Sequence, residues 1–451
     1  MKRTHIRTDI SRRRLVQTGT AAGLTSILAT GQFPGIVRAQ TAIRMITPAA
    51  LGTERDMYQG FVDDFMANQS EITVDLSFEA WEDYMTRLPT LFAGGEVPDV
   101  IHQHMSIVQD YGARGALDDL TPYLERDQIN REDYIEALFD AFSSDAGLLA
   151  FPKDSAAWGI YYNKTKFDEA GVDYPADDWS FDQFRETAKA LTVDEAGVRG
   201  NEDGFSTEGT MQQYGFSWIE PAPFNSENVR GFVRGRGGDW YNEDMTETLI
   251  TDQPAIDHFR MFHEMRCVDG SAPSDAASAG MGDMFRQGMT AMQIGFHNLD
   301  FFLREDQVEF EWDVTFMPKG DGGQFVPVGA SGWAIPADAA NKDAAWELIK
   351  HLISPEVQTE IGKVGRWGVN LRESIAEIVP ENPASGFQKV HVDPLTGDSD
   401  RTAISFRFPA NQSKIQQVYD EYFDPIWLCE DDDIEGAAEE AKLDIDDILA
   451  E

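Results

Sequence analysis

Three short apolar stretches, residues 43–47, 72–78 and 98–101, are separated by amphipathic segments of helix length, and this alternation limits the fold more than any other feature. In the first intervening segment Met57, Phe61, Val62, Phe65 and Met66 recur at helical spacing. In the second, residues 81–92 read as a helix stopped by Gly94 and Gly95. Strand and helix alternating at this interval build βαβ units, and therefore a mostly parallel sheet with helices on its faces. The class is α/β. A chain of 451 residues also exceeds the roughly 250–300 residues at which one core stops growing, so two domains are expected.

The first 39 residues read as an address rather than as part of that fold. Ser11-Arg12-Arg13-Arg14-Leu15 precedes a weakly apolar run at 21–28, and Val37-Arg38-Ala39 offers a small-residue cleavage site. The run is interrupted by Gly, Thr and Gln and is too short for a bilayer, which favours a twin-arginine export signal over a membrane helix. Gln40 follows the expected cut, so no cysteine stands there to accept a lipid. A free periplasmic protein is expected, without membrane insertion. The alternative reading of this segment is a disordered basic tail.

Charge narrows the partners. The chain has 37 Lys and Arg against 79 Asp and Glu. Seven of the bases and one acid lie in residues 1–39, leaving 30 bases and 78 acids, a net −48, for the remainder. Such a field repels nucleic acid and anionic lipid, both of which need basic patches. Cys267 and Cys429, the only cysteines, could form one bridge in an oxidising compartment, although sequence cannot bring them together.

Catalytic and metal patterns fail one by one. Gly329-Ala330-Ser331-Gly332-Trp333 lacks the closing glycine of a nucleophile elbow. His102 and His104, and the pair His258 and His263, only loosely match metal-ligand spacing. Asp431, Asp433 and Glu435 begin like a calcium loop, but Lys442 stands where the bidentate Glu belongs. No phosphate-cradling Gly-Lys-Ser/Thr occurs. Neither a cofactor nor a metal is expected.

A longer pattern carries more. Phe151-Pro152-Lys153-Asp154 enters an apolar run ending in Tyr161-Tyr162-Asn163-Lys164, followed by Phe167, Ala170-Gly171-Val172, Tyr174-Pro175, Trp179, Phe181 and Phe184. Around it, in order, stand Pro98-Asp99-Val100, Phe285-Arg286-Gln287-Gly288-Met289, Gly329-Ala330-Ser331-Gly332, Ala344-Ala345-Trp346 and Ser354-Pro355-Glu356. Together these resemble family 1 of the extracellular solute-binding proteins, the maltose-binding-protein-like receptors of ABC importers. The resemblance implies a two-lobed periplasmic-binding-protein fold, class II-like, with a ligand cleft between lobes joined by several hinge crossings. It places residues 40–151 plus 316–360 in lobe 1 and 152–315 plus 361–451 in lobe 2, with crossings near 151–160, 309–318 and 355–365. It implies no enzyme, but a monomeric receptor that closes on a carbohydrate and hands it to the transmembrane permease subunits. A polyol, a glycerol phosphate ester or a polyamine is the alternative cargo. An exported glycoside-active enzyme is the remote one.

Sugars present C–H faces rimmed by hydroxyls and are held by aromatic faces with polar edges. Candidate contacts are Asp154, Trp158, Trp218, Trp240, Phe296, His297, Asn298, Ser331, Trp333, Arg366 and Trp367, with His102 and His104 reaching in from the first lobe. Relatives often carry a tryptophan at the position of His297, so the platform here falls to Phe296 or His297. Trp81, Trp179, Trp312, Trp346 and Trp427 sit in helix or strand patterns and are expected in the core.

Overall fold

The structure is a computed structural model that describes residues 40–49, 51–218, 227–365, 368–375 and 384–451. Its first sheet begins with β1 (Thr41–Pro48), covered by helix α1 (Gly52–Asn68), then β2 (Ile72–Glu79), helix α2 (Trp81–Gly94), β3 (Val100–His104) and helix α3 (Met105–Ala113). β1 pairs in parallel with both β2 and β3. Helix α2 stops where the sequence indicates: Gly95 adopts φ +66°, and its N–H closes the last turn on Leu91 and Phe92.

The chain then crosses. β4 (Phe151–Pro152) belongs to the first sheet, and β5 (Asp154–Asn163) is the central strand of the second. All ten residues of β5 are buried, as a run of small and apolar side chains permits. Gly159 is there for want of room: a Cβ would lie 2.7 Å from Val390 Cγ1 and 2.9 Å from the Thr315 carbonyl oxygen. Along its length β5 pairs with β7 (Thr290–Phe296), β8 (Trp312–Thr315), β9 (Phe325–Gly329) and β11 (Gly368–Val369), while β6 (Tyr214–Ser217) and β12 (Thr402–Ile404) extend the sheet. The return is made by β10 (Ser331–Ala334), antiparallel to both β3 and β4.

The two sheets therefore meet at two neighbouring crossings, one at Lys153 and one at Ala330. Helix α9 (Pro355–Val364), whose Val357 and Ile361 join the core around the first sheet, leads to a third passage into β11. Residues 325–329 pair with β5 in the second sheet, although the sequence boundary at 316 groups them with the first lobe. Residues 325–335 are apolar or small almost throughout, so apolar pattern gives no sign of where the chain changes sheets.

Helix α10 (Gln412–Trp427) and helix α11 (Ile434–Leu449) pack on the second sheet through Ile415, Tyr419, Phe423, Ala438 and Ile445. The N-cap of α10, Asn411, is in the left-handed region and makes no capping bond. Asp110, on α3, supplies the cap instead: its carboxylate accepts the Gln412 N–H at 3.0 Å and the Ser413 hydroxyl at 3.3 Å. A carboxylate at a helix N-terminus also meets the positive end of the dipole. Asp110→Ala is expected to cost about 1–2 kcal/mol and to speed amide exchange at 412–415 more than elsewhere. Unchanged exchange in that turn would rule this clasp out.

Candidate functional site

The carboxyl ends of β1 and β3 point toward the crossings, the end of a parallel sheet at which α/β proteins place ligands. Lys153 stands between β4 and β5 and is 4% exposed. Its backbone N–H donates to the Ser331 carbonyl at 2.8 Å. Its ammonium donates to Tyr58 Oη at 2.9 Å, lies 3.3 Å from Asp154 Oδ2, and sits over the Trp333 ring at 4.6 Å. Asp154 Oδ1 accepts the Ser331 N–H at 2.6 Å. One ion pair thus stitches the two crossing strands side by side. Burial pulls the Lys153 pKa down, but Tyr58 and Asp154 outweigh it and hold the value up.

His102 and His104 alternate on β3, which brings both imidazoles to one face, where each stands edge-on to Trp81 at 5.6 and 5.4 Å. His102 also meets Tyr84 and Trp333 edge-on. Burial, then Lys153 and His104, hold the pKa of His102 well below its ordinary value. Burial lowers His104 to about 4, with Asp154 opposing and Lys153 adding to the shift. His104 Nδ1 accepts the Ser106 N–H at 3.3 Å and so caps α3, which leaves the proton of the neutral ring on Nε2. Both ring nitrogens of His102, both amide atoms of Gln103 and Thr47 Oγ1 are buried without a hydrogen-bond partner among the described residues. Buried polar atoms are rarely left so.

These shifts set a pH dependence. Between about 6.5 and 4 the unfolded chain binds a proton at His104 that the folded chain does not. Stability is therefore full above about pH 6.5 and is lost as pH falls toward 4. Urea unfolding at pH 7.5, 5.5 and 4.5 should show wild type losing about 3 kcal/mol relative to His104→Gln. Parallel pH curves for the two proteins are the contrary result.

On the second sheet Trp158 and Phe296 are register partners, with ring centroids 4.9 Å apart. His297 follows at the start of helix α7 (His297–Glu305), its ring 5.7 Å from Phe296. β11 passes close by: a Cβ on Gly368 would lie 3.1 Å from His297 Cε1. Asn298 Oδ1 is buried with no partner among the described residues. Behind β5, His391 Nδ1 donates to the Ala157 carbonyl at 2.8 Å and Nε2 accepts from Tyr161 Oη at 2.9 Å. Burial holds His391 at about 3, against the opposing pull of the Ala157 carbonyl.

The sequence candidates thus fall into two groups along one strand. His102, His104, Asp154, Ser331 and Trp333 gather at the crossing. Trp158 and Phe296 stand about 13 Å farther along β5, four residues at the strand rise, and His297 and Asn298 follow Phe296 back toward the crossing, His297 against Gly368, the partner of Ser155. Trp218 lies elsewhere, half-buried against Phe262 at 4.4 Å. Trp240 does not reach a surface: it is 1% exposed, stacked on Phe259 at 5.2 Å and edge-on to His258. Its irregular segment folds back onto helix α6 (Gln253–His263), because an indole gains more from that apolar bed than from water. Arg366 and Trp367 lie outside the described residues.

Trp81 departs from expectation in the other direction. It is half-buried and walls the two imidazoles, whereas Trp179, Trp346 and Trp427 are interior. Sequence reasoning does not reach Lys153 and Tyr58. The one signal for Lys153 was its place directly before Asp154 at the crossing, and nothing local marked Tyr58. Among the described residues no group of three or more His, Cys, Asp or Glu is placed to hold a metal ion.

Comparison with known proteins follows the same lines. An uncharacterized lipoprotein in the oleD 5′ region of Streptomyces antibioticus is 23% identical over 316 residues, 68% of this chain and 65% of that protein. An ABC substrate-binding protein from Listeria monocytogenes, solved with cycloalternan, superposes with a TM-score of 0.77 at 23% identity, over 91% of this chain and all of that one. An ABC transporter solute-binding protein from Thermotoga lettingae, bound with α-D-tagatose, gives 0.74 at 15% identity over 91% and 100%. These likenesses establish the two-lobed α/β fold. With its family model matching residues 51–359, this chain belongs to the bacterial extracellular solute-binding proteins.

Proposed function

We propose that this protein is the periplasmic receptor of an ABC importer and that it closes on an uncharged saccharide without transforming it. The observation that carries the reading is the make-up of the crossing: indole faces and neutral imidazoles around one ion pair whose charges cancel. Aromatic faces suit the C–H side of a sugar, and the imidazole and carboxylate edges suit its hydroxyls. Structural neighbours bound to cycloalternan, tagatose and maltose support the ligand class. Trp158, Phe296, His297 and Asn298, with Asp154 at the start of β5, would meet the ligand from the second lobe, and His102, His104 and Ser331 from the first, while Trp333, 1% exposed, only backs them. Arg366 and Trp367 remain proposed contacts on sequence grounds, Trp218 is a peripheral one, and Trp240 is left out.

Lobe closure would exclude water and display a loaded face to the permease subunits, with the receptor acting as a monomer. The lobes proposed are the two sheets with their helices, bounded at Lys153, at Ala330 and beyond Gly365. Export by the twin-arginine route, with cleavage after Ala39, rests on the Arg12-Arg13 pattern. Among the described residues no helix is long and apolar enough to cross a membrane. Mass spectrometry of small molecules released from the purified protein, followed by calorimetric titration of the compound found, tests the reading. A released polyamine, phosphate ester or free polyol as the tight ligand would replace it, and turnover of a glycan would end it. Intact mass of the exported protein tests the cleavage site: a chain starting at Gln40 is expected, and a lipidated mass is not.

A further inference from the structure

A buried ammonium is an unusual component for a joint that apolar side chains could pack. Desolvation opposes it, and well-packed hydrophobic residues often replace buried ion pairs at no loss of stability. At the crossing Lys153 and Asp154 are each 4% exposed. Asp154 Oδ1 is committed to the Ser331 N–H. Asp154 Oδ2 has no hydrogen-bond donor among the described residues and answers only to the Lys153 ammonium at 3.3 Å. The imidazoles beside the pair, His102 and His104, are held neutral, so the ammonium is what cancels this carboxylate.

That cancellation has a chemical consequence in a chain with 79 acidic residues against 37 basic ones. An uncompensated carboxylate in a strongly negative, water-poor cleft attracts cations. With the ammonium in place the buried pair offers the cleft no net charge. We propose that Lys153 is a selectivity residue, which by neutralising Asp154 tunes the cleft to uncharged saccharides and against amino sugars and polyamines. The proposal rests on the saccharide-receptor reading and adds to it which residue sets the charge preference.

The test is a double-mutant cycle read as a ratio of affinities, since a merely structural role would weaken all ligands alike. Wild type, Lys153→Met, Asp154→Asn and the double variant are titrated with matched disaccharides: uncharged, glucosamine-containing and glucuronate-containing. Wild type should prefer the uncharged member by at least tenfold. Lys153→Met should shift the amino-to-neutral ratio toward the amino sugar by at least tenfold. Asp154→Asn should shift the uronate-to-neutral ratio the same way, and the double variant should return to the neutral preference. An amino-to-neutral ratio in Lys153→Met equal to that of wild type overturns the proposal. If that variant does not fold, a uronate ratio in Asp154→Asn equal to that of wild type does so instead. Should wild type bind no saccharide of either charge class, the receptor reading falls and takes the proposal with it. That outcome is distinct from a sugar-binding wild type whose selectivity ignores the pair.

Discussion

Trp158→Ala is expected to weaken saccharide binding by about 100-fold, close to 2.7 kcal/mol, whereas Trp240→Ala should leave affinity within about threefold. Both indoles are large, and removing either from its packing should cost about 3–5 kcal/mol of stability. Spread over the unfolding entropy of some 400 residues, that lowers the melting temperature by roughly 5 °C in each case. The two variants are thus matched in stability and separated by position. Trp158 pairs with Phe296 beside His297, at the end of a strand that leads back to the crossing. Trp240 is enclosed by Phe259, His258 and Tyr419. Binding enthalpy and affinity by calorimetry, alongside thermal melts, decide the matter. Equal affinity losses in the two variants would mean that Trp158 acts through the fold and not on the ligand.

Replacing both cysteines by serine is the second large expectation. Cys267 and Cys429 are bonded, with Cα atoms 5.6 Å apart and 162 residues between them in sequence. Cys267 lies in the turn that continues α6, and Cys429 lies just past α10, so the bridge ties α6 to the carboxy-terminal helical pair. In the chain-entropy picture a loop this long gives about 5 kcal/mol, because the unfolded chain loses the freedom to separate its ends. The double Cys→Ser variant should melt roughly 6 °C lower than the oxidised wild type, and dithiothreitol should bring wild type down to the variant. A reduced wild type melting with the oxidised one would show that helix packing alone holds these ends. The bridge suits export, since cytoplasmic thiols are kept reduced.

How much of this was legible depended on the range of the interaction. The parallel start of the first sheet could be read from residues 43–101 because each strand and helix there carries its own period. The stop at Gly95 was legible for the same reason: a left-handed residue is a local need. The loop tryptophans stand out in the sequence as a set, but their local patterns do not sort them by burial. Trp240 looked free because its segment has no period, yet it packs on α6. Trp81 looked structural because its helix has a clear apolar stripe, yet its ring faces two imidazoles. A residue's own segment says little about what stands opposite.

Sequence alone settled the class of the fold, the acidity and the family-like order of motifs along the chain. Each of these follows from spacing within a few dozen residues, or from composition, and neither requires knowing where the chain returns. Tertiary structure decided the rest: that β10 crosses beside β4 at Ala330, that Asp110 caps a helix 300 residues away, that Cys267 meets Cys429, and that Lys153 finds Tyr58 and Asp154 together. Those contacts join segments whose local patterns are indifferent to one another. Only the packing of the two sheets and their helices brings them within bonding distance.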